Sequence, residues 1–296
     1  MSRKKLILGI VGICLMGVVA VRYSNAVKKA NERFAVYKAK ASTIETSFGK
    51  LTYIDEGQGA PILSCHGICG GYDQAYDTLA DKVNRYRVIA PSRFGYPGSD
   101  APDNPSIEKQ VEAFVELLDA LNIEKTYVLA TSAGGTSAIK FALMHPERTK
   151  GLILYCSGYP ALEKPEKEIT YMGPPESLCY DFPMWLFSPL FEPIMGMNQD
   201  TIEMIMPFKE KHEGIVIDAK ITNTVMFNHP EEYDLSKLQV PVLCIHSKDD
   251  KLANYEGAIP WAERIPDCTF ISLETGGHLM VGNQEVINDA LDTFIR

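Results

Sequence analysis

Tyr127-Val128-Leu129-Ala130-Thr131-Ser132-Ala133-Gly134-Gly135-Thr136 passes from a short apolar run into small residues that open a helix. A serine at a strand-to-helix turn is held with its hydroxyl off the end of the sheet. Small residues two before and two after it, here Ala130 and Gly134, let the backbone turn that tightly. Glycine is the usual first residue, so Ala130 is a mild departure. The amides at the start of the following helix favour negative charge beside Ser132. Read alone, the same serine could simply cap a helix.

Outward from this turn the chain alternates. Apolar runs at 61–65, 86–90, 127–130, 151–156, 240–246 and 269–273 are short and lack polar alternation, as in strands covered on both faces. Helical stretches are expected at about 72–83, 106–121, 133–144, 253–264 and 283–295. In the second, Ile107, Val111, Phe114, Val115 and Leu118 recur at helical spacing after an Asn104-Pro105-Ser106 start signal. Ahead of them, 43–48 and 51–55 read as strands joined by a turn at Gly49-Lys50. The pattern predicts an α/β fold with a mostly parallel central sheet and helices on both faces.

One stretch, about 160–235, breaks the alternation. It holds eight prolines up to Pro207 and seven of the eleven methionines, with Phe182, Trp185, Phe187 and Phe191. Prolines at that density preclude one long element. A helical insertion with its own core is expected, and its thioethers suit a lid over an apolar pocket.

The 296 residues carry 38 acidic and 29 basic side chains, a net charge of −9, with 46% hydrophobic residues. That balance fits a globular protein and disfavours nucleic-acid binding. Seven scattered cysteines do not make a disulfide scaffold. Residues 1–26 form a separate unit: Arg3-Lys4-Lys5, then an uncharged run from Leu6 to Val21. At 1.5 Å per residue that run spans roughly 24 Å, a little short of a ~30 Å hydrocarbon core. It reads as a membrane anchor or a cleaved signal, with candidate sites at Val18-Val19-Ala20 and Ser24-Asn25-Ala26. Residues 27–42 read as a polar stalk, and 43–296 as the main domain. The leading basic cluster places that domain outside the cytoplasm, anchored or, after cleavage, secreted. The basic residues from Arg22 to Lys40 favour the opposite orientation.

From residue 43 onward the chain resembles an α/β-hydrolase of the serine esterase and lipase type. Ser132 matches the family nucleophile. The family order is serine, acid, histidine, and suitable residues follow in that order. Past the run 240–246, Asp250 stands at the family spacing for the acid, with Ser247 replacing a glycine and Asp249 as competitor. His278 follows a strand and Gly276-Gly277, where the family places its base. Cys65-His66-Gly67-Ile68 resembles the oxyanion loop, so the resemblance implies backbone N–H donors at Ile68 and Ala133. Cys65, His66 and Cys69 could also suggest a metal site, but no fourth ligand is evident, and neither metal nor cofactor is expected. Arg93, in a loop resembling the family's, is expected in a structural ion pair, or else facing an acidic substrate group.

The resemblance implies a serine hydrolase acting through an acyl-enzyme on a carboxylic ester of a small or medium apolar substrate. A carbon–carbon bond hydrolase and a proline iminopeptidase-like peptidase are alternatives on the same triad. A non-catalytic ligand-binding member of the fold is another. Ser132 disfavours a haloalkane dehalogenase, which needs a carboxylate nucleophile.

Overall fold

The computed structural model describes residues 3–295, so Met1, Ser2 and Arg296, at the ends of the expected anchor and main domain, lie outside it. The strands are β1 (Ser42–Thr46), β2 (Gly49–Glu56), β3 (Ala60–Cys65), β4 (Tyr86–Pro91), β5 (Thr126–Thr131), β6 (Thr149–Tyr155), β7 (Val242–Ser247) and β8 (Cys268–Leu273). They form one sheet in the order β1-β2-β4-β3-β5-β6-β7-β8. The β1–β2 and β2–β4 pairs are antiparallel and the rest are parallel. The first turn falls at Ser47-Phe48, two residues before the expected Gly49-Lys50, and Gly49 enters β2 at a φ of 104°.

The helices are α1 (Arg3–Lys40), α2 (Tyr72–Asp77), α3 (Ile107–Ala120), α4 (Gly135–Met144), α5 (Asp181–Phe187), α6 (Phe191–Met195), α7 (Gln199–Ile205), α8 (His212–Ile217), α9 (Asn223–Asn228), α10 (Tyr255–Ala262) and α11 (Gln284–Phe294). The expected helix at 72–83 is split, with α2 followed by a tight turn at Ala80–Lys82. Helix α3 starts where Ser106 Oγ accepts from Lys109 N at 3.3 Å.

The period-two alternation of a strand builds a core on each face. Val128 and Ala130 of β5 join Leu152 and Leu154 of β6 against Phe114 of α3 and Phe141 of α4. Leu129 and Ile153 turn the other way, toward Tyr72 of α2 and Leu291 of α11. Both faces of β5 and β6 are buried, which is why these strands read as unbroken apolar runs. From 157 to 241 the chain forms no strand; α5 to α9 sit here, with a third apolar cluster that includes Met184, Trp185, Ile202 and Phe208.

Helix α1 passes without a break through the expected boundary at residue 26. Its apolar first half is exposed, and it is long and apolar enough to cross a membrane. Its second half is docked on the main domain. Ala26, Ala30 and Phe34 are buried at a four-residue spacing, the stripe of an amphipathic helix. Phe34 stacks on Tyr72, and Tyr37 Oη donates to Asp77 Oδ1 at 2.7 Å. Arg33 donates to the carbonyls of Glu203 and Met206, both at 2.9 Å. The expected polar stalk is therefore a brace along the domain, and both candidate cleavage sites lie at or inside its docked part.

Candidate active site

The parallel register brings four loops to one edge. Cys65 of β3 pairs with Ala130 of β5, so the loops after them lie side by side. Ser247 of β7 pairs with Leu273 of β8, which does the same for the next two. Ligand sites in open α/β sheets lie beyond the carboxyl ends of the strands.

Ser132 stands just past β5 at a φ of 54°, a left-handed conformation that costs a non-glycine residue energy. Its neighbours explain the small residues. A Cβ on Gly134 would lie 2.4 Å from the Cys65 carbonyl oxygen, and one on Gly67 would lie 3.1 Å from Ser132 Cβ. Only glycine lets the two loops approach so closely.

Asp250 and His278 come together beside this turn. His278 Nδ1 donates to Asp250 Oδ2 at 2.8 Å, which leaves Nε2 as the basic ring nitrogen. Asp250 Oδ1 accepts from the amides of Leu252 at 2.8 Å and Ala253 at 3.0 Å. Burial pushes the Asp250 carboxyl up, but the His278 hydrogen bond and charge and these amides hold it below the ordinary carboxylate value. Asp249 does a different job: it accepts from Gly277 N at 2.9 Å and Gly276 N at 3.3 Å, fixing the loop that carries His278. Ser132 and His278 line the same cavity. The hydrogen bonds among the described residues connect His278 to Asp250 but not to Ser132. Nucleophile-to-base contacts are often loose without substrate and tighten when it binds.

Ile68 and Ala133 line the cavity beside Ser132. The amides flanking Ile68 are engaged, Gly67 N with Gln74 Oε1 at 2.9 Å and Cys69 N with Tyr96 Oη at 3.2 Å. Among the described residues the Ile68 N–H meets no acceptor. His66 is spent within the loop. Arg93 N donates to its Nε2 at 3.0 Å, so the ring proton sits on Nδ1 and goes to the Gly67 carbonyl at 2.8 Å. Burial, then the Arg93 charge, pushes this imidazole well below its ordinary value and keeps it neutral. Cys65 is buried, and burial pushes its thiol up to about 12. His246, the last residue but one of β7, donates from Nε2 to the Ala253 carbonyl at 2.7 Å.

Arg93 forms the structural ion pair, and its partner was not legible in the sequence. Its guanidinium meets both carboxylate oxygens of Asp218, one at 2.7 Å, and also donates to the Gly67 carbonyl at 3.2 Å. Tyr96 Oη donates to the same carboxylate at 2.6 Å. Asp218 follows α8 in the insertion, so this buried network ties the lid to the loop carrying Ile68. A second buried pair, Lys211 Nζ to Asp73 Oδ2 at 2.7 Å, ties the insertion to α2. Partners 125 and 138 positions apart leave no local pattern to find.

The cavity between the sheet edge and the insertion measures about 620 Å³. Met184, Phe191, Met195 and Met197 form part of its outer wall, and Met172 and Met226 also line it. Among the described residues lining it there is no lysine, arginine, aspartate or glutamate. The arrangement can activate a hydroxyl, stabilise an imidazolium and enclose a neutral apolar molecule.

Residues 60–189 match the family model described as alpha/beta hydrolase fold. The uncharacterized hydrolase YcgS of Bacillus subtilis (strain 168) is 30% identical over 272 residues, covering 82% of this chain and 93% of that protein. A 2-hydroxy-6-oxo-6-phenylhexa-2,4-dienoate hydrolase of Burkholderia cepacia is 36% identical over 110 residues, 35% of this chain and 38% of that one. Among solved structures, a thermophilic esterase from Thermogutta terrifontis superposes with a TM-score of 0.68 at 22% identity, covering 86% of this chain and 99% of its own. The chain belongs to the α/β-hydrolase fold family, and it is a hydrolase.

Proposed function

We propose that this protein is a serine hydrolase that cleaves a neutral, apolar carboxylic ester and is held at a membrane by α1. The observation that carries this reading is the uncharged lining of the cavity on which Ser132 and His278 open. A dienoate presents a carboxylate and a proline iminopeptidase substrate an ammonium. Both call for a counter-charge in the pocket, because an unpaired buried ion is costly. The nearby buried cations are already occupied, Arg93 by Asp218 and Lys211 by Asp73. An ester asks only for a nucleophile, a base and donors to its oxyanion.

Ser132 Oγ attacks the carbonyl carbon while His278 Nε2 takes its proton. Asp250 holds the ring with Nδ1 protonated and stabilises the imidazolium. The oxyanion is received by the N–H groups of Ile68 and Ala133. The alcohol leaves with the proton from His278, and water, deprotonated by the same ring, cleaves the acyl-enzyme.

Two measurements test this. A fluorophosphonate should label Ser132 in the folded protein; no labelling points to a ligand-binding member of the fold. In a panel of neutral p-nitrophenyl esters, proline amides and dienoates, the esters should be turned over best. A preference for either ionic class overturns the proposal.

A further inference from the structure

We infer that the outer face of the lid rests on the bilayer beside α1, so that the cavity receives its ester from the membrane rather than from solution. This rests on the reading of the chain as a membrane-attached ester hydrolase.

The first observation is where α1 meets the domain. Its apolar segment is exposed on every face, with Leu6, Ile10, Ile13, Leu15 and Val18 each about half or more exposed. A helix apolar all round needs an apolar surrounding. The docked part begins at Val19 and Tyr23, which pack against the insertion's own cluster. The Tyr23 ring lies 5.0 Å from that of Phe182 and 5.4 Å from that of Trp185. The last turns of the apolar segment therefore leave the domain beside α5, the first helix of the lid.

The second observation is what α5 shows there. Met184 lines the cavity and Trp185 is buried, while Phe182, Leu186 and Phe187 are 44%, 40% and 43% exposed. Leu190, between α5 and α6, is 58% exposed, and Phe191 just after it lines the cavity. This wall is one helix thick, apolar on both sides and continuous at Tyr23 with a helix of membrane-spanning length. Arg22, Lys28 and Lys29 are exposed around the same point. There they would meet lipid headgroups, as basic residues flanking a span do. From Tyr23 to Lys40 the helix runs about 25 Å along the domain, which places the β1–β2 end well away from the lipid. A second copy of this chain would cover the lid patch but leave most of the uniformly apolar helix in water. A bilayer accommodates both.

The test uses the full chain in phosphatidylcholine–phosphatidylglycerol vesicles. A bimane probe on Leu186→Cys, in a Cys14→Ser, Cys268→Ser background that removes the thiols not fully buried, reports the surroundings of the lid. Its emission should shift to the blue and be quenched by nitroxide-labelled lipid. Emission typical of water, or a blue shift without lipid quenching as in a contact between copies, overturns the inference. In parallel, the triple variant Leu186→Ser, Phe187→Ser, Leu190→Ser is assayed on soluble p-nitrophenyl butyrate and on dioleoylglycerol held in the vesicles. These side chains do not line the cavity. The variant should match the parent on the butyrate and lose about tenfold or more on the bilayer ester. Equal activity on the bilayer ester sinks the inference while the ester reading stands. A parent that cleaves neither ester ends both, and the probe then reports only where the lid lies.

Discussion

β5 and α5 belong to opposite walls of one cavity, and their side chains have very different freedom. On the sheet wall, Val128, Leu129 and Ala130 are fully buried between two packed faces, and Ser132 is held in a left-handed turn against Gly67. On the lid wall the contacts are thioethers and phenyl rings on helices of five to seven residues. Methionine turns about three side-chain bonds and fills irregular space. The comparison separates two tasks: backbone register fixes where chemistry happens, and soft side chains set what fits.

The largest effects should come from breaking the rigid wall. Ser132→Ala or His278→Ala should lower turnover by about 10⁴–10⁶-fold with an unchanged circular dichroism spectrum. Residual activity within tenfold of the parent removes Ser132 as nucleophile. Asp250→Asn should cost about 10⁴-fold, because it favours the wrong imidazole tautomer. Asp249→Asn keeps an acceptor for Gly277 N and should cost less than about tenfold; the reverse ranking exchanges the two aspartates. Asp250 also gives a pH test. Its carboxyl titrates below the usual value in the folded protein, so its contribution to stability is full above about pH 4 and fades as pH falls through the folded value. Asp250→Asn should therefore flatten the acid limb of a plot of urea midpoint against pH.

The buried ion pair between the walls comes next. Arg93→Met leaves Asp218 buried without its partner, and should lower stability by about 3–5 kcal/mol in urea unfolding. The double variant Arg93→Met, Asp218→Leu should recover much of that loss. If the single variant is as stable as the parent, lid and sheet are not coupled through this pair. The smallest effect should come from the soft wall. Met197→Ala should shift preference toward longer acyl chains by about tenfold, with fluorophosphonate labelling of Ser132 unchanged. An unchanged chain-length profile would place Met197 outside the substrate path.

The same division governs how much could be read from the chain alone. All eight strands lie within two residues of their expected ends, and the central ones, β5, β6 and β7, are the plainest because burial on both faces leaves an unbroken apolar run. Ser132, Asp250 and His278 stood out as candidates because each follows an apolar run in a short loop. The insertion showed only its composition, rich in proline, methionine and aromatic residues, and not where its helices begin and end. Its helices are short, and it is fastened by Arg93–Asp218 and Lys211–Asp73, pairs that exist only after folding. The docking of α1 was legible in principle: Ala26, Ala30, Phe34 and Tyr37 make a helical stripe inside a stretch that reads as polar. Lysines and glutamate between them hid it.

Gly134 has no side chain to offer the proposed reaction, yet its bareness decides how closely two loops can meet. The Cys65 and His66 carbonyls rest where a methyl group would otherwise stand, so the loops that carry Ile68 and Ala133 meet across a bare α-carbon. If the proposed mechanism holds, enlarging that position by a single carbon would push the Cys65–His66 segment outward and leave the developing negative oxygen with one donor instead of two.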